Sequence, residues 1–135
     1  MTSIKQSAGP QFSRILGFGA ARGANVVTND DIAGPIDSSD EWIQQRTGII
    51  TRRRADADVT VIDLSVEAAN KAIAAAGIAA SEIDAVILST VTYFNQTPAA
   101  SAIIADRIGA NPAAAYDISA ACAGYTYGIA QADAL

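Results

Sequence analysis

Hydrophobic and polar positions switch between two periods along this chain, and the switches mark its elements. From Arg14 to Ala20, "RILGFGA" reads as a first strand running into the glycine-rich turn "GAARGAN". In "NVVTNDDIAG", Thr28 or Asn29 can cap a short helical turn. "SSDEWIQQRTG" places Ser38 three residues before Glu41, the spacing of a capping box, and Gly48 where a helix would stop. A short helix from Ser39 to about Arg46 is the expectation. From Val59 to Ala76, Ile62, Leu64, Ala68, Ala69, Ala72 and Ile73 form a helical stripe that ends at Gly77, which predicts the longest helix.

The second part of the chain changes pattern. "AVILST", Ala85 to Thr90, is a continuous apolar run of the type buried on both faces of a parallel sheet. After the loop "VTYFNQT", Pro98 stands at a plausible first helical position and "PAASAIIADRIG" runs to a stop at Gly109. "AAAYDIS" reads as a second buried strand, and from Cys122 the pattern is helical to the last residue. Strands alternating with helices predict an α/β fold with a largely parallel sheet. There is no repeat, low-complexity tract or linker, so residues 1–135 read as one unit. The chain ends in "IAQADAL", inside an amphipathic helical pattern, and is therefore read as a piece of a longer protein.

Composition narrows the classes. Half of the 135 residues are hydrophobic, enough for a sizeable core. The net charge of −5, from 14 acidic against 9 basic residues, argues against sequence-independent nucleic-acid binding, which needs a basic footprint. "TRRR", Thr51 to Arg54, is a local exception and reads as a solvated charge run outside any site. No apolar run approaches the ~20 residues of a membrane span, and the first dozen residues lack the apolar core of a signal peptide. The single cysteine excludes an internal disulfide and points to a reducing, cytoplasmic setting.

That cysteine carries the candidate chemistry. A strand "AYDIS" passing through "AACAG" into a helix puts Cys122 near a helix N-terminus, which lowers a thiol's pKa from its free value of about 8.5. The small neighbours Ala120, Ala121, Ala123 and Gly124 admit a carbonyl substrate and leave a backbone N–H for an oxyanion. On the residues alone, a lone cysteine reads first as a small buried hydrophobe. A thiol-redox role is disfavoured because there is no CxxC. The chain contains no histidine to serve as the thiol's base.

"DISAACAGYTYGIAQAD" resembles the active-site segment of β-ketoacyl-acyl carrier protein synthase III, a condensing enzyme of the thiolase-like superfamily. "VVTNDDIAGPIDSSDEWIQQRTGI", Val26 to Ile49, is similar to that family's N-terminal signature, in the right order and at the right distance. The resemblance extends from about Arg14 to Leu135 and covers the N-terminal portion of an enzyme more than twice this length. It implies the first part of an αβαβα layered domain, with the C-terminal half absent and apolar surface left uncovered.

The resemblance also implies roles. Cys122 matches the nucleophile that takes the acyl group from acyl-CoA as a thioester. Trp42 and Arg46 match the residues that hold coenzyme A, with Thr47 beside them. An aromatic face and a forked cation at i and i+4 suit a stacked base beside a phosphate. Without the resemblance, Trp42 reads as a core residue and Arg46 as a solvated helix-end cation. Thr97 falls where the family lines its acyl pocket, and a threonine there leaves room for a longer or branched chain; the alternative is an ordinary loop threonine. The implied reaction condenses acyl-CoA with malonyl-acyl carrier protein by a ping-pong route, with no metal or redox cofactor, in a homodimer. The family's catalytic histidine and asparagine come from the C-terminal half, so this chain alone is expected to fail at decarboxylative condensation. Two alternatives accompany this reading: a homologue of polyketide or other secondary metabolism, and a non-catalytic assembly module.

Overall fold

The computed structural model describes residues 12–135, so most of the polar N-terminal dozen read above for a signal peptide lies outside the described residues. Two strand pairs organise the chain. The first joins β1 (Asn25–Thr28) to β2 (Thr51–Arg54) in antiparallel fashion, with Asn25 opposite Arg54 and Thr28 opposite Thr51. Between them in sequence lie α1 (Asp30–Ala33) and α2 (Asp40–Thr47). The "TRRR" run is thus a strand, stabilised by pairing that its own composition does not announce.

The second pair carries the alternation expected of an α/β fold. After α3 (Val61–Ala76) come β3 (Ala85–Ser89), α4 (Ala100–Ile108), β4 (Ala114–Ile118) and α5 (Gly124–Ala134). β3 and β4 are parallel and in register from Ala85 beside Ala114 to Ser89 beside Ile118. Successive strand side chains point to opposite faces. Val86 and Leu88 accordingly pack on the core of Ile104, Ala105, Ile108 and Ala110, together with Ile62, Val66 and Ile73 of α3. Ala85, Ile87 and Ser89 face the other way, toward α5. The result is three layers, with α3 and α4 on one side of the parallel pair and α5 on the other. β3 is only half-buried, because α5 covers its second face incompletely.

The helix ends depart from expectation in instructive ways. α2 is capped by Ser39, whose hydroxyl accepts from the Trp42 amide at 3.1 Å, so the Ser38–Glu41 capping box does not form. Ser39 is the residue with extended backbone before the first helical turn, and the N-cap position requires that geometry. Gly48 closes the helix at φ +71, a left-handed conformation that glycine adopts without a Cβ penalty. α1 is capped by Thr28, which exchanges hydrogen bonds with Asp31, while the Asn29 side chain turns elsewhere. α4 starts at Ala100, two residues after Pro98, and its N-cap Ala99 has no side-chain oxygen to offer. The Asp117 carboxylate on β4 fills that role, accepting from the Ala100 and Ser101 amides at 2.8 and 2.9 Å.

The stretch Arg14–Ala20 is not a strand. It lies on α3: a Cβ on Gly17 would stand 2.5 Å from the Ala72 carbonyl oxygen, and one on Gly19 would stand 1.9 Å from that of Ala68. A strand requires a neighbouring ladder, and here the segment meets a helix surface, which the two glycines allow it to approach closely.

α3 begins with a complete capping box between Thr60 and Asp63, and Asp63 also accepts from Arg107 of α4 at 2.7 Å. Hydrogen bonds from Thr60, and then from Arg107, hold the Asp63 carboxyl well below its ordinary value of 3.8. A depressed carboxylate contributes stability above its unfolded pKa and loses it as pH falls through the folded one. The urea midpoint should therefore decline from about pH 5 toward pH 2, and Asp63→Asn should flatten part of that decline. An unchanged slope in the variant would contradict the assignment.

Candidate functional site

β4 ends at Ile118 and the chain turns through Ser119 and Ala120 into a 3₁₀ turn, Ala121–Ala123, before α5 starts at Gly124. Ala121 has φ +45, a left-handed value that is uncommon for a residue with a Cβ. This sharp bend leaves the Cys122 side chain exposed at the start of α5. Among the described residues Cys122 is therefore not a buried side chain. The amides of Ala123 and Gly124 are taken up by the carbonyls of Ala120 and Ala121, so neither is the free oxyanion donor anticipated from the small neighbours.

Cys122 opens onto a cavity of about 830 Å³ between α5 and the outer face of β3. Ile87 and Ser89 line it from β3, and Tyr125, Ile129 and Leu135 line it from α5. The walls are mostly apolar, as a site for an alkyl chain requires. Thr97 is exposed on the loop between β3 and α4 and does not line this cavity.

Close approach of α5 to β3 depends on Gly124. A Cβ there would stand 1.9 Å from Ser89 Oγ and 3.3 Å from Ser89 Cβ. Gly124→Ala should force Ser89 to a new rotamer and cost about 1–3 kcal/mol by overpacking. Urea denaturation of Gly124→Ala, Ser89→Gly and the double variant checks this, with the double variant recovering part of the loss. Additive effects would mean that the two positions do not collide.

The second cluster is on α2. Arg46 lies over the indole of Trp42 with its guanidinium carbon 5.3 Å from the ring centroid, a cation–π geometry one turn apart. Trp42 is 53% exposed and borders a hollow of about 670 Å³ with Ile36, Asp37, Ser38 and Ser39. Among the described residues it is therefore exposed rather than packed in the core. The Ser38 hydroxyl is buried here without a hydrogen-bond partner among the described residues. Thr47 is occupied locally: its hydroxyl donates to the Ile43 carbonyl at 2.7 Å and accepts from the Ile49 amide at 3.0 Å, which fixes the turn after α2.

No family model matches the chain. Individual proteins do. It is 53% identical over all 135 residues to the β-ketoacyl-[acyl-carrier-protein] synthase III of Kocuria rhizophila. Among solved structures, it resembles the priming β-ketosynthase of the R1128 polyketide biosynthetic pathway, with a TM-score of 0.89 and 41% identity over 96% of this chain and 39% of that one. It also resembles the 3-oxoacyl-[acyl-carrier-protein] synthase III of Aquifex aeolicus, with a TM-score of 0.83 and 38% identity over 88% of this chain and 38% of that one. The chain spans about 38% of the length of the curated relative from Kocuria. The Kocuria and Aquifex proteins carry the family name that the two sequence motifs resemble, and the solved neighbours share the thiolase-like α/β architecture.

Proposed function

We propose that the protein is a 3-oxoacyl-[acyl-carrier-protein] synthase III and that these residues carry its acyl-loading half-reaction. The observation that supports this most directly is the exposed Cys122, on a left-handed bend beside an apolar cavity, in a chain 53% identical to a synthase III. The Cys122 thiolate attacks the acyl carbonyl of acyl-CoA. The carbon–sulfur bond to coenzyme A then breaks, leaving an acyl-cysteine thioester and free coenzyme A, which takes up the proton. In the second half-reaction malonyl-acyl carrier protein loses carbon dioxide, and its carbanion displaces Cys122 to give the 3-oxoacyl-carrier protein. The chain holds no histidine, so the donors for that step are assigned to residues outside these 135.

Trp42 and Arg46 are assigned to the nucleotide of coenzyme A, the indole stacking on the base and the guanidinium meeting phosphate, with Thr47 holding the turn beneath them. Thr97 is assigned to the acyl pocket of the assembled homodimer. No metal or redox group is called for by this chemistry. Acyl-CoA and malonyl-acyl carrier protein are the proposed partners, in the cytoplasm, where a lone thiol stays reduced. No helix among the described residues is long and apolar enough to cross a membrane.

A second reading, starter-unit loading for polyketide synthesis, draws on the similarity to the R1128 priming β-ketosynthase. Both readings share the loading step. A ping-pong loading step is tested by isotope exchange: with no malonyl carrier present, labelled coenzyme A should enter the acyl-CoA pool. Absence of exchange from a folded protein would count against loading. Acetyl-, branched- and longer-chain donors, compared in the same assay, then rank the acyl preference.

A further inference from the structure

The pose of the Trp42–Arg46 pair depends on very little apolar packing. α2 has eight residues, and only Ile43 among them is buried. A helix this short has marginal stability of its own, so its position must be imposed by contacts with the rest of the fold. Those contacts converge on one side chain. Asn29 is 1% exposed, and both polar atoms of its amide are engaged. Its nitrogen donates to the Asp40 carboxylate, at the first residue of α2, at 2.7 Å, and to the Ile49 carbonyl, just past the helix's last residue, also at 2.7 Å. Its oxygen accepts from the Arg52 guanidinium on β2. Arg52 in turn donates to the Thr28 carbonyl at the end of β1, at 2.6 Å. One buried amide therefore grips both ends of α2 and ties them to the antiparallel strand pair.

We infer that Asn29 is a positioning residue for nucleotide recognition: it fixes α2 against the β1–β2 pair and so sets the pose of Trp42 and Arg46. The inference rests on the assignment of that pair to coenzyme A. Asn29 itself is buried and separated from solvent, so its effect on binding is indirect. Asp40 stays ionised beside it, held below the ordinary carboxylate value by hydrogen bonds from Gln44 and then Asn29.

Asn29→Asp is the informative substitution. It keeps the size and the acceptor for Arg52, but removes both donors and sets one carboxylate against another. Combining Asn29→Asp with Asp40→Asn restores one bond in reverse, since the amide now on α2 can donate to the carboxylate that replaces its former partner while still accepting from Gln44. Trp42 is the only tryptophan of the chain, so its fluorescence reports directly on the pair. The purified chain is titrated with coenzyme A and with pantetheine, which lacks the nucleotide, and circular dichroism follows helix content.

Wild type should bind coenzyme A with quenching of Trp42 and show no such response to pantetheine. Asn29→Asp should raise the coenzyme A Kd about tenfold and shift the emission of the free protein, and the double variant should recover part of that loss. Coenzyme A binding to Asn29→Asp as tight as to wild type would overturn the inference alone. A double variant that regains wild-type helix content without regaining affinity would do the same, including where the single variant is unfolded. A wild-type chain that does not distinguish coenzyme A from pantetheine would remove the nucleotide assignment, and the inference with it.

Discussion

Replacing Cys122 with alanine should take acyl exchange to background, a loss of about 10³-fold or more, while coenzyme A binding stays within about twofold of wild type. The separation follows from the architecture. Cys122 belongs to the turn between β4 and α5, whereas Trp42 and Arg46 belong to α2, which is held by the β1–β2 pair. The thiol is exposed and flanked by Ala121 and Ala123, so alanine removes no core packing. Label exchange measures the first quantity and Trp42 quenching the second. Residual exchange near wild type in Cys122→Ala would assign the acyl acceptor to another group. Lost binding with lost exchange would mean that the variant had disturbed the fold.

Asp117→Ala should be the most destabilising single substitution in the parallel half, by about 2–5 kcal/mol, since each orphaned buried donor costs about 1–3 kcal/mol. Ala100 and Ser101 are both 0% exposed, so water has no access to their amides once the carboxylate is gone. The lost charge also sat at the positive end of the α4 dipole. Asp117→Asn keeps one acceptor oxygen but turns an NH₂ toward the other amide, so its loss should be intermediate. Urea denaturation of the three proteins checks the order. The bond matters beyond stability, because β4 leads into the Cys122 turn and the loop before α4 carries Thr97. A stability for Asp117→Ala equal to wild type would contradict the capping role.

Local rules explain what was legible in the sequence. α3 was readable because a helical stripe, alanine content and a terminal glycine all agree, and the structure adds the Thr60–Asp63 box at its start. β3 and β4 were readable as apolar runs between helices, and the Cys122 turn followed from their order. Two segments take partners distant in sequence. Arg14–Ala20 has the composition of a strand, yet it meets the backbone of α3 rather than a ladder. Thr51–Arg54 has the composition of a solvated run and stays largely exposed, but it also pairs with β1.

Pro98 is a favourable first helical residue on local grounds, but α4 takes its cap from Asp117, seventeen residues beyond its first amide. A signal for Asp117 did exist: an acid in the middle of the apolar run "AAYDI" needs a donor when buried. Asn29 gave a weaker one, since an asparagine before a helical turn reads first as a cap. Its actual partners, Asp40, Ile49 and Arg52, are set by tertiary structure.

The central claim is that Cys122 accepts an acyl group from coenzyme A, and intact-mass spectrometry after incubation with a series of acyl-CoAs tests it most directly. The account predicts a mass increase of one acyl group, removed by hydroxylamine, mapped to the peptide containing Cys122 and absent from Cys122→Ser. A folded protein that gains no mass from any donor, or gains it at another residue, would contradict the account.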